Sequence, residues 1–123
     1  MSISSKIILT GFLFLLIIIT GLLLTRSGKP YHPALFNIHK LISLGTVVYT
    51  GILVYTLVKT IEIPPLLMGL IIAAGILFLI LIISGGLLNL EKSFYSLLRT
   101  LHRIMPAIAI IMTSVVFYWI LKK

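Results

Sequence analysis

The chain has 123 residues, 60% of them hydrophobic and only 10% charged, with ten Lys/Arg, two Asp/Glu and a net charge of +8. A soluble domain of this length needs a charged surface that this composition cannot supply. The absence of cysteine excludes disulfides, iron–sulfur clusters and thiolate ligands.

Four uncharged stretches, Ile7–Thr25, Leu41–Val58, Ile63–Leu90 and Ile104–Leu121, each contain at least 18 residues. At about 1.5 Å of rise per residue, each nearly crosses a hydrocarbon layer of about 30 Å. They predict four transmembrane helices, over about 6–25, 34–59, 64–89 and 93–121, in one domain spanning 1–123. The first run follows Lys6 as the apolar part of a signal peptide would, but it extends to Leu24 without a small-x-small cleavage site, so it is read as a retained helix.

Arg26-Ser27-Gly28-Lys29-Pro30-Tyr31-His32-Pro33 combines charge, glycine and two prolines, which ends one helix near Thr25 and starts the next at Pro33 or Ala34. Pro64-Pro65 favours the third start, and the third break falls at Asn89–Ser93 with Ser93 as a cap for the fourth helix. Connections this short make successive helices antiparallel, giving an all-α, integral membrane, up-down-up-down four-helix bundle. Glu62 and Glu91, the two acids, both fall in breaks. The basic residues sit at helix ends, as anionic head groups favour, so they are not a nucleic-acid footprint.

Within this frame, Ile38-His39-Lys40-Leu41 and Leu101-His102-Arg103-Ile104 read alike, each an aliphatic–His–basic–aliphatic string near the start of an apolar run. Ionisable residues in membrane helices are costly and point to function. The second and fourth helices are parallel, so His39 and His102 share one depth. From His39 the face at i+4, i+7 and i+11 carries Ser43, Thr46 and Thr50; from His102 it carries Pro106, Ala109 and Thr113. The first helix ends in Gly21-Leu22-Leu23 and the third in Gly86-Leu87-Leu88, so Gly21 and Gly86 fall at the matching depth and the chain reads as two related hairpins. Small faces also serve ordinary close helix packing, the role expected of Gly11, Gly45, Gly51, Gly69 and Gly75.

Two helical histidines suit the axial positions of a haem iron built into a bundle core, whereas structural zinc takes four ligands. Metal ligation is therefore expected at His39 and His102. Lys40, Arg99 and Arg103 lie within a turn of them and suit haem propionates, although each also suits a snorkelling role at lipid phosphates. The orienting partners of the rings are sought at the carbonyls of Leu35 and Leu98 or the Ser43 hydroxyl, and Pro106 frees the carbonyl of His102. His32 is expected to contact a propionate or to be an ordinary loop residue. Tyr49, Tyr55, Tyr95, Tyr118 and Trp119 are read chiefly as interfacial aromatics.

On Asn37-Ile38-His39-Lys40-Leu41 and Leu98-Arg99-Thr100-Leu101-His102-Arg103-Ile104-Met105-Pro106, the chain resembles the small four-helix membrane b-type cytochromes, broadly the cytochrome b561-like proteins. Such families hold two haems on four helical histidines. Only His39 and His102 are helical here, so the resemblance implies one haem b per chain, with one-electron transfer to or from a membrane quinol or a redox protein.

Other functions fit the same residues. An assembly or scaffold subunit needs no ligand at its histidines, a haem carrier or sensor needs one that is released, and a small multidrug-type transporter would want an acid inside a helix. Whether the chain is an oxidoreductase or an electron-transfer component is left open, as is oligomerisation. Six basic residues on the histidine side against four on the other place that side in the cytoplasm, in a cell membrane.

Overall fold

The computed structural model describes residues 2–28, 31–88 and 95–122. Four helices follow in chain order: α1 (Ile3–Ser27), α2 (Pro33–Val58), α3 (Pro65–Leu88) and α4 (Tyr95–Lys122). Each is long and apolar enough to cross a bilayer, so the chain is an all-α integral membrane protein whose outer surface contacts lipid. Large aliphatic side chains such as Ile8, Leu41, Leu79 and Ile111 are exposed on that surface, as expected where the solvent is hydrocarbon.

Local chemistry sets the helix ends. Ser2 caps α1 by accepting from the Ser5 N–H at 3.1 Å. At the other end Gly28 adopts φ 72°, a conformation costly for side chains with a Cβ, and its N–H closes on the Leu24 carbonyl at 3.1 Å. His32 caps α2, its Nδ1 accepting from the Leu35 N–H at 3.4 Å, and Pro33 occupies the first helical turn, where a missing N–H costs nothing. A chain-capping role thus accounts for His32. Pro65 opens α3. The expected cap Ser93, together with Asn89, Glu91 and Lys92, lies outside the described residues, as does Lys29.

Packing is closest within the hairpins α1–α2 and α3–α4, and the hairpins meet through α2 against α3 and α4. Phe14 of α1 also stacks on Phe78 of α3, with ring centroids 5.8 Å apart. The apolar core lies at the end away from the histidines, where Leu53 and Leu57 of α2 and Leu67 of α3 meet Val116, Phe117 and Ile120 of α4. At that end Lys59 sits 4.2 Å from the centroid of the Tyr55 ring and Lys122 sits 5.9 Å from that of Tyr118, the pattern of cations reaching an interface along aromatic side chains.

Leu67 is 0% exposed. Leu67→Ala is expected to destabilise the bundle by about 2–3 kcal/mol through lost packing, while Leu79→Ala on the lipid face changes stability by less than about 0.5 kcal/mol. Reversible unfolding in mixed micelles measures both; equal effects would contradict the core assignment.

Candidate metal centre between two hairpins

His39 is the seventh residue of α2 and His102 the eighth of α4, counted from Pro33 and Tyr95. At about 1.5 Å per residue both rings therefore stand roughly 10 Å inside their helix starts. α2 and α4 run the same way, so the two side chains arrive at one level. Their ring centroids are 6.2 Å apart and their planes cross at 76°. Two imidazoles bound to opposite sides of one metal through bonds of about 2.0–2.1 Å put their centroids roughly 6 Å apart. Rotation about the metal–nitrogen bonds leaves that separation unchanged, so the crossed planes are compatible with it.

Each ring is held by the other helix of its own hairpin. The Thr20 hydroxyl of α1 lies 2.8 Å from Nδ1 of His39, and the Ser84 hydroxyl of α3 lies 3.0 Å from Nδ1 of His102. The next residue in each case is a glycine against the ring. A Cβ at Gly21 would stand 3.2 Å from Cε1 of His39, and one at Gly85 would stand 2.8 Å from Cε1 of His102. The same hydroxyl–glycine pair therefore serves both histidines, 19 residues before His39 and 18 before His102 counted from the hydroxyl.

Two expectations are corrected by this geometry. The glycine packed against His102 is Gly85, and Gly86, at the position matched to Gly21 through the Gly-Leu-Leu strings, would bring a Cβ within 4 Å of nothing. The orienting groups are the hydroxyls of Thr20 and Ser84, in place of the Leu35 or Leu98 carbonyl or the Ser43 hydroxyl. The rings reach across to the antiparallel neighbour, whereas a carbonyl one turn earlier on the same helix is already engaged in the helical ladder. Ser43 has a buried hydroxyl with no hydrogen-bond partner.

The other predicted residues distribute around this pair. Thr46 is 1% exposed and bonds the Ile42 carbonyl of its own helix at 2.7 Å, and Ala109, also 1% exposed, lies in the interior of α4. Pro106 lies inside α4 and deprives the carbonyl of His102 of its helical N–H partner. Arg99 and Arg103 are exposed, one turn apart on α4, and with His102, Tyr31, Thr25 and Leu88 they line a cavity of about 270 Å³. Lys40 is not among the lining residues; its ammonium stands 5.2 Å from the centroid of the Phe36 ring. The cavity lies at the histidine end, opposite the packed core.

No protein-family model, curated protein or solved structure matches this chain. Among the described residues no group of three or more His, Asp or Glu side chains comes together, so a metal held here would have two imidazoles as its donor set from the chain. That set suits a metal whose remaining ligands come from a cofactor and does not suit tetrahedral zinc. Glu62, in the α2–α3 connection, is the one described acid and lies outside the four helices.

Gly85→Ala must displace the His102 ring or the α3–α4 contact and is expected to destabilise by about 1–3 kcal/mol, whereas Gly86→Ala, in open space, is neutral or stabilising by up to about 1 kcal/mol. Thermal unfolding of the two variants in the same detergent checks this. The reverse order would place the close approach at the wrong glycine.

Proposed function

We propose that this chain is a membrane b-type cytochrome that holds one haem b between His39 and His102, and that its work is one-electron transfer. The observation that carries the reading is the 6.2 Å separation of two imidazoles at one level of a membrane bundle, each with Nδ1 engaged by a hydroxyl. Nε2 of neither ring has a hydrogen-bond partner among the described residues, which leaves those two nitrogens for ligation. His39 and His102 would hold the haem, which would supply one-electron chemistry at its iron when bound.

The chain's own residues supply the setting. Gly21 and Gly85 bring helix backbone against the rings, and the buried, unpartnered Ser43 hydroxyl gives the interior near His39 a polar atom that apolar packing alone does not explain. Arg99 and Arg103 line the cavity beside His102 and offer guanidinium groups to the two propionates, with Lys40 at the same end of α2 as a third cation. Thr46, Pro106 and Ala109 line the same helix faces as the histidines, Gly86 following the contact glycine on α3. Electrons enter from or leave to a membrane quinol or a redox protein, in keeping with the resemblance to the cytochrome b561-like proteins. The basic excess at the histidine end orients it toward the cytoplasm across the cell membrane.

Purified protein supplied with haem during expression is expected to show an optical spectrum of six-coordinate, low-spin haem in both oxidation states, with one haem per chain. His39→Ala and His102→Ala should each abolish that signal or convert it to high spin. An unchanged spectrum in either variant would remove the assigned ligand, and a colourless wild-type protein would favour a scaffold or assembly role instead.

A further inference from the structure

We infer that Thr20 and Ser84 are positioning residues that fix both histidines in the tautomer with the proton on Nδ1, so that each Nε2 presents a lone pair for a metal before any ligand arrives. The inference rests on the reading of His39 and His102 as ligands, and it adds two residues on α1 and α3 that ligate nothing themselves.

A hydroxyl carries a single proton. The Thr20 hydroxyl donates that proton to the α1 backbone, with the Leu16 carbonyl at 2.9 Å and the Ile17 carbonyl at 3.0 Å, and the Ser84 hydroxyl donates to the Leu81 carbonyl at 3.2 Å. A hydroxyl whose proton goes to a backbone carbonyl meets its imidazole as the acceptor, and on this assignment each Nδ1 donates, over 2.8 Å from His39 to Thr20 and 3.0 Å from His102 to Ser84. A ring donating from Nδ1 in its neutral form has an unprotonated Nε2.

No hydrogen bond to a described residue holds a proton on Nε2 of either ring, whereas each Nδ1 has its hydroxyl, so the protein favours the Nδ1-protonated form. The glycine that follows each hydroxyl completes the device. Gly21 and Gly85 let the rings lie against the α1 and α3 backbone: a Cβ at Gly85 would stand 2.8 Å from Cε1 of His102 and force a shift, and one at Gly21, 3.2 Å from Cε1 of His39, would need a smaller one. The arrangement occurs twice, once in each hairpin, from different residues.

Histidine-selective 15N NMR of the chain without haem, in lipid nanodiscs, reads the tautomer directly, and titration with haem reads affinity on the same samples. In the wild type both His39 and His102 should carry the proton on Nδ1. Thr20→Val, which keeps the shape and removes the hydroxyl, should change the tautomer of His39 alone, and Ser84→Ala that of His102 alone. Each should weaken haem binding by roughly 10–100-fold, the usual loss when a partner of a ligating histidine is removed. Thr20→Ser and Ser84→Thr should restore both readouts, which a purely space-filling role would not predict. Circular dichroism confirms that each variant is folded. Wild-type rings protonated on Nε2, or tautomers unmoved by both deletions, would overturn the inference. Correct tautomers in a chain that takes up no haem would support the positioning role and overturn the cytochrome reading.

Discussion

A histidine placed inside a membrane bundle must find a polar partner there, because neither lipid nor aliphatic side chains can satisfy its ring nitrogens. In this protein that constraint is met twice in one way, by a hydroxyl from the antiparallel neighbour at 2.8 Å for His39 and 3.0 Å for His102. The rest of the histidine end follows from it. The hydroxyl must approach closely, so the adjacent residue is glycine; the two helices must stay in register, so each hairpin packs tightly within itself. The two anchored rings then meet across the interface between hairpins. Without their hydroxyls they would be free to turn away from each other toward the polar surface.

The bundle divides its tasks by depth. One end is closed by aliphatic and aromatic packing around Leu67, and the other carries the imidazoles, an adjoining cavity and two arginines. Stability is supplied mainly where the cavity is absent. Cavities and polar groups weaken a core, and concentrating them at one end leaves the other to hold the helices together. This separation leaves space beside the histidines while the other end keeps the helices together in a bilayer.

Much of this was legible in the chain. Four long uncharged runs specified four spanning helices, the Pro33 and Pro65 starts were readable from fixed proline geometry, and the parallel course of the second and fourth helices put His39 and His102 at one depth. What was not legible was which groups on other helices meet them. Spacing along one helix identifies a shared face, so it pointed to Ser43 and to carbonyls one turn back; contacts between helices depend on rotation about each axis, which an all-round apolar helix such as α3 does not reveal. Matching Gly21 to Gly86 through the neighbouring leucines missed the register by one residue for the same reason. The signal that would have corrected it is the pair Thr20-Gly21 and Ser84-Gly85, a hydroxyl followed by glycine, standing before each histidine at nearly the same distance. Leucines, common everywhere in such a chain, are poor markers of register; a hydroxyl followed by glycine also stands at Thr10-Gly11, Ser27-Gly28 and Thr50-Gly51, so only its spacing from each histidine distinguishes the two pairs that meet the rings.

The central claim is that both imidazoles bind one iron through Nε2, from helices α2 and α4. Pulsed electron paramagnetic resonance of the ferric, haem-loaded protein, with histidine labelled by 15N, counts the axial imidazole nitrogens directly. Hyperfine couplings from two histidine nitrogens bound to one low-spin iron are predicted; coupling to a single histidine, or to none, would contradict the account.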